Sequence, residues 1–223
     1  MNMPKDVQHT LATHPLFEGM GSSQQNWLFT VGRSIALSKQ DYLFRRGQTS
    51  GLLYILLVGH IKLSIPAERG QEKVLEFLSS GDVFGESALL NNHVAITDAQ
   101  ALGACELLAF EAKDVMVAVT RVPSFAQQLL TNLSQRVETL FRDMESVSLL
   151  SAAQRVAEYL LRQPRIGNQA KLPFHKRAIA SKLGLQPETF SRSLQQLAAD
   201  GLISVRGARV VIHDADKLQA MLV

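Results

Sequence analysis

A single cysteine, Cys105, occurs in the 223 residues. One thiol excludes an intrachain disulfide and an iron–sulfur cluster held by cysteines alone. Its neighbours, ACELLAF, make an apolar strand, so a small buried hydrophobe is the plain reading. No apolar run approaches the ~18 residues that a membrane span requires. The opening stretch MNMPKDVQHTLATH has no signal-peptide core, so a cytoplasmic location and no membrane partner are expected. There is no Ser/His/Asp or Cys/His constellation, no metal-spaced His/Cys cluster and no P-loop, so no enzyme is expected.

Net charge is low, +3, but unevenly placed. Residues 151–223 carry 11 Lys/Arg and 5 Asp/Glu, a balance of +6, while residues 1–150 stand at −3. A polyanion partner for the C-terminal part follows. The organising stretch lies there, QPETFSRSLQQLAA from Gln186 to Ala199. Read as a helix, Phe190, Leu194 and Leu197 form a core-seeking stripe, and Glu188, Arg192 and Gln195 point the other way with Ser191 at their edge. Pro187 suits the first helical position. Just before it, Ile179, Ala180 and Leu183 mark a second short helix, stopped at Gly184. Two short helices across a tight turn, the second with a polar outer face, make a helix-turn-helix. A guanidinium can give two hydrogen bonds to guanine, and a carboxylate can accept one from cytosine. An i, i+4 Glu188–Arg192 salt bridge on a solvated helix is the plainer alternative, and the helix-turn-helix setting favours base reading.

In chain order, residues 6–14 and 22–30 read as short helices around an LFEGMG turn. From Val31 to Phe110, the runs SIAL, LLYILLV, IKLSI, VLEFL and LLAF alternate with glycine turns, which predicts a β-sandwich or barrel-like roll. Pro123 opens a long helix with Ala126, Leu130, Leu133, Val137, Leu140, Met144, Val147 and Ser151 spaced 4-3-4-3-4-3-4. That heptad seam predicts a partner helix and a two-fold dimer through Leu130 to Val147, against the alternative of packing on its own domain. A helix over AAQRVAEYLLRQP, a polar loop over residues 165–170 and an extended Leu172-Pro173-Phe174 come next. LISVRGARVVI then reads as a hairpin with Arg206 and Arg209 at its tip, either a wing approaching phosphates or a solvated turn. The expected fold class is α+β: a β-roll sensor domain at 1–122, a dimerisation helix at 123–150 and a winged helix-turn-helix at 151–223.

The order of these parts resembles the superfamily of the cyclic-AMP receptor protein and the fumarate–nitrate reduction regulator. FGESALL at 84–90, the two helical stretches after Pro123 and IASKLGLQPETFSR at 179–192 carry the likeness over almost the whole chain. The resemblance implies a homodimeric transcription regulator on double-stranded DNA, with RNA polymerase as a further partner. Glu188, Ser191 and Arg192 match the positions that read TTGAT-type half-sites. QPETFSR and TLATHPLF look most like the dissimilatory nitrate respiration regulators, which respond to nitric oxide through haem and activate denitrification genes.

The same comparison places an effector pocket at Gly85, Glu86, Ile96, Thr97, Leu133, Val137, Leu140 and Phe141. Where cyclic-AMP binders of the family carry an arginine for the phosphate, this chain has Ile96, and no basic residue lies anywhere from 86 to 100. Leu140 and Phe141 replace the hydroxyls that would read adenine. An anion buried without a cation is costly, so cyclic AMP is not expected and an apolar cavity is. Glu86 then reads as a structural residue. Haem needs an axial ligand. His14 and His93 are the candidates, each with an ordinary surface or capping role as the alternative; His9 and His60 rank below them, and His175 and His213 belong to the DNA-binding part. Another small effector or none, or a sensing module whose C-terminal domain contacts protein, are the remaining alternatives. The +6 balance argues against the last.

Overall fold

The structure is a computed structural model that describes residues 11, 13–67, 71–91, 93–172 and 174–222. The helix read over residues 6–14 falls mostly outside them, as do His9 and Pro173. Contacts divide the chain into two compact units, 1–137 and 138–223, at a point inside the long helix.

The first unit is a double-layered antiparallel β-sandwich. One sheet has the order β1-β8-β3-β6, with β1 Arg33–Leu37, β3 Leu52–Val58, β6 Val83–Phe84 and β8 Cys105–Glu111. The other runs β2-β7-β4-β5, with β2 Tyr42–Phe44, β4 His60–Pro66, β5 Glu72–Ser79 and β7 Asp98–Ala101. The LLYILLV run is unbroken because β3 is covered on both faces. Tyr54 and Leu56 face the core between the sheets with Phe44, Ile61, Phe84 and Cys105. Leu53 and Ile55 face a second core with Phe17, Phe29, Val115 and Phe125. That second core is roofed by α1 Ser22–Val31, by α3 Ala112–Arg121 and by the start of α4 Pro123–Leu149. Rings close it, Phe17 meeting Phe29 edge-on at 5.4 Å and stacking on Phe125 at 6.4 Å. A five-residue helix, α2 Glu86–Leu90, starts at Gly85. Gly85 has φ +96°, and a Cβ there would lie 2.4 Å from the Leu52 carbonyl, so this glycine is required by both backbone and space.

The second unit holds α5 Ala152–Arg162, α6 Lys176–Lys182, α7 Pro187–Ala199 and α8 Ala215–Ala220 against one sheet of order β11-β12-β10-β9. The strands are β9 Arg165–Ile166, β10 Gln169–Lys171, β11 Ile203–Arg206 and β12 Arg209–Ile212. Residues 165–171 are therefore not a polar loop: they form a hairpin turning at Gly167, φ 62°, that extends the wing to four strands. The heptad reading also ends early. The α4 helix stops at Leu149, and Ser151 caps α5 instead, accepting from the Gln154 N–H while Gln154 accepts from the Ser151 N–H.

Candidate nucleic-acid interface

The α6–α7 pair is set by its turn. Leu185 N–H reaches the Ala180 carbonyl at 2.9 Å and Gly184 N–H the Ser181 carbonyl at 3.1 Å, closing α6 with a left-handed Gly184, φ 65°. Arg155 from α5 donates to the Leu183 carbonyl at 2.8 Å and so holds the turn from behind. Lys182 of α6 is ion-paired with Asp143 of α4.

The two faces of α7 separate as the periodicity predicts. Phe190, Leu194 and Leu197 are at most 3% exposed and join Val156, Leu160, Ile179, Ile203 and Val210 in one core. Burying three such side chains contributes roughly 5–8 kcal/mol toward fixing this face inward. On the other side Pro187, Glu188, Ser191, Arg192 and Gln195 line one shallow open depression. Glu188, Arg192 and Gln195 are exposed and Ser191 is half-buried. Glu188 and Arg192 make no ion pair within 4.0 Å with each other or with any described residue. The salt-bridge alternative for this pair is not what the structure contains, and both charged heads are free at the N-terminal end of α7. Ser193 is buried and donates to the Thr189 carbonyl at 3.0 Å, so it takes no part in the outer face.

The wing places Arg206 directly opposite Arg209, both exposed, on either side of a turn at Gly207 and Ala208. Like charges facing across a hairpin repel, and an anion between them removes that cost. A further pair was not read from the sequence. Lys176 and Arg177 are exposed in the first turn of α6, with no ion pair within 4.0 Å among the described residues. Cations at a helix N-terminus oppose the helix dipole, which again favours a negatively charged neighbour. The signal was the KR step preceding the apolar stripe.

The sensor-side residues are arranged differently from the expected apolar cavity. Glu86 is 3% exposed and ion-paired with Arg136 of α4, whose Nε also lies 3.1 Å from Glu76 and whose other terminal nitrogen donates to the Val83 carbonyl at 3.3 Å. Burial alone would lower the Arg136 pKa, but the Glu86 and Glu76 carboxylates outweigh it and raise it above its ordinary value. No local pattern over 86–100 reports this cation, which arrives from 50 residues away. Gly85 adjoins Glu86, but Ile96 is 59% exposed and Thr97 half-buried. Leu133 is half-buried and Val137 is 49% exposed; Leu140 and Phe141 are exposed and belong to the second unit.

His14 does not fit an axial haem ligand. Its Nδ1 accepts from the Leu16 N–H at 3.1 Å, which leaves the proton on Nε2, and Nε2 donates to the Gly81 carbonyl at 2.6 Å. Nδ1 thereby caps the 3-10 turn Pro15–Phe17, and Nε2 ties it to Gly81. His93 is exposed and lines an open pocket that has both apolar and polar walls. Along α4, the seam residues Leu130, Val137, Leu140, Met144 and Val147 are exposed, and Leu133 is half-buried.

A helix-turn-helix with an outward polar face, followed by a β-wing, defines a winged DNA-binding domain. The comparisons agree with that class. Residues 34–121 match the cyclic nucleotide-binding domain family and residues 154–221 the Crp-like helix-turn-helix domain. The cyclic AMP receptor protein of Thermus thermophilus is 27% identical over 92% of this chain and 95% of its own length. The fumarate and nitrate reduction regulatory protein of Salmonella typhimurium is 28% identical over 86% and 79%. The crystal structure of DNR from Pseudomonas aeruginosa is 30% identical, covering 99% of this chain and all of its own, with a TM-score of 0.53. The chain belongs to the family of the cyclic-AMP receptor protein and the fumarate–nitrate reduction regulator, and is a DNA-binding transcription regulator of that family. Among the described residues, no helix is long and apolar enough to cross a membrane.

Proposed function

We propose that the protein acts as a homodimer that reads palindromic TTGAT-type half-sites through α7 of each copy. The observation that carries this reading is the outer face of α7, where Glu188, Ser191, Arg192 and Gln195 stand clear of the core with Glu188 and Arg192 unpaired. Arg192 serves guanine O6 and N7, Glu188 accepts from cytosine N4, and Ser191 and Gln195 complete the contact. Arg206 and Arg209 hold phosphate oxygens at the wing, and Lys176 and Arg177 do so at the start of α6; such contacts position the protein without reading sequence. The exposed seam along α4 supports the dimer, because a heptad row left in water is a face that a second copy covers. A two-fold dimer places its paired α7 helices for half-sites about 34 Å apart.

The sensor unit takes an effector that is neither cyclic AMP nor haem on His14. Ile96 stands open to solvent where a phosphate would need a cation, and Arg136 is already held by Glu86, Glu76 and Val83. Any effector acts by favouring one arrangement of the dimer, and must do so by a few kcal/mol to matter. Fluorescence anisotropy with a TTGAT palindrome and a scrambled duplex at several salt concentrations tests the DNA reading. A steep salt dependence together with discrimination supports it, and equal affinity for the two duplexes sinks it.

A further inference from the structure

The sensor unit has an opening whose lining includes neither Glu86 nor Arg136. It is an open pocket of about 580 Å³, within the range that holds small organic ligands. Its apolar wall is Ile35 of β1, Leu43 and Phe44 of β2 and Leu52 of β3, side chains that belong to the inter-sheet core or pack against it.

Its polar wall includes two cations, Arg33 and Lys113, the hydroxyls of Ser50 and Tyr54, and one carboxylate, Glu111. The guanidinium of Arg33, at the start of β1, makes no hydrogen bond or ion pair within 4.0 Å among the described residues, although its charge also acts on Glu111. Its charge reaches the Tyr54 hydroxyl, whose titration burial pushes upward and Arg33 pulls back. Ser50 and Tyr54 are 6% and 3% exposed, and their hydroxyls meet at 3.2 Å. Two hydroxyls sharing one hydrogen bond leave one O–H without an acceptor. Glu111 on the rim is already paired with Lys113 at 2.8 Å.

His93 is fixed there by backbone as well. It adopts a left-handed φ of 59°, accepts from the Ser50 N–H at 2.7 Å through its carbonyl, and lays its ring against Gly51. A Cβ at Gly51 would come 2.8 Å from His93 Nδ1, so the ring's place depends on that glycine. A non-glycine residue in this conformation is strained and persists where the surroundings hold it.

We propose that this pocket binds a small amphipathic carboxylate, an aromatic or branched aliphatic acid. Its carboxylate meets the Arg33 guanidinium, which can grip both oxygens, and the Ser50–Tyr54 hydroxyl pair. Its body covers Ile35, Leu43, Phe44 and Leu52. The proposal does not depend on the DNA reading, because it concerns side chains of the first unit alone and is measured without DNA.

The test is titration of the isotope-labelled full chain with benzoate, with neutral benzamide of the same shape, and with inorganic phosphate, followed by backbone amide shifts. Benzoate is expected to saturate and to move the amides of Arg33 and residues 50–52. Benzamide should bind ~10-fold or more weaker, and phosphate should not saturate, because it gains nothing from the apolar wall. Arg33→Gln, at an exposed position, should weaken benzoate ~10-fold with an unchanged thermal midpoint. Absence of saturation, equal binding of benzamide, or shifts confined to other residues would overturn the proposal. If Arg33→Gln also lowers the midpoint, the benzoate–benzamide comparison on the unmodified chain decides.

Discussion

Arg136 on α4 and Glu86 at the start of α2 form an ion pair in which both side chains are largely withdrawn from water, 18% and 5% exposed. A buried pair is weak support for stability as a unit but costly to halve. Arg136→Met should therefore destabilise the chain by about 3–5 kcal/mol, since it strands a carboxylate that already has one buried oxygen without a partner among the described residues. Glu86→Leu combined with Arg136→Met should be less destabilised than Arg136→Met alone. Urea denaturation of the variants checks the order, and the reverse order would show that the pair is not the unit described.

Tyr159 of α5 gives a pH-dependent prediction. Its hydroxyl is buried with no hydrogen-bond partner among the described residues, and burial raises its pKa well above the ordinary tyrosine value of 10.0. The folded chain keeps this proton where the unfolded chain releases it. The associated stability is thus whole below pH 10 and drains away as pH rises above it. Tyr159→Phe removes an unsatisfied hydroxyl and should stabilise the protein by about 1 kcal/mol at neutral pH, with a shallower loss on the alkaline side. Denaturation midpoints between neutral and strongly alkaline pH measure both effects.

His14→Ala should act as the loss of a turn cap, costing about 0.5–2 kcal/mol. It should leave the visible spectrum of a haem-reconstituted sample unaltered, because both ring nitrogens are taken by Leu16 N–H and the Gly81 carbonyl. Loss of a stoichiometric Soret band in this variant alone would show that the cap opens to iron.

The wing and the reading helix should separate in their salt behaviour. Replacing both Arg206 and Arg209 by alanine should weaken binding to cognate and scrambled duplexes alike and reduce the salt slope by about 2. Leu140→Glu with Met144→Glu, at exposed seam positions, should leave folding intact while halving the mass seen by sedimentation and abolishing binding to the palindrome.

The sequence made some of this legible and hid the rest for definable reasons. The two faces of α7 could be read because Phe190, Leu194 and Leu197 repeat at helical spacing and one core takes them all. LLYILLV was readable as a strand from its apolar run between glycine turns, but its cover on both faces comes from segments distant in sequence. The α3 helix and the 165–171 hairpin were not read: the first sits between two strong apolar signals, and the second has only two- and three-residue strands. Ser151 passed as a seam position because its spacing fits the heptad, although Ser151 and Gln154 carry a capping box. The Arg136–Glu86 pair joins distant segments, which no local periodicity reports. His14 looked like a ligand because the sequence does not say that the Gly81 carbonyl lies against its ring.

The central claim, that α7 reads base edges, is met most directly by one titration. The full chain and Glu188→Ala are each bound to a TTGAT palindrome and to its scrambled counterpart at fixed salt, and the specificity ratios are compared. The account predicts that the full chain prefers the palindrome by at least ~10³, and that Glu188→Ala loses about 1–3 kcal/mol of that preference while its affinity for scrambled DNA stays level. An unchanged ratio in Glu188→Ala would contradict it.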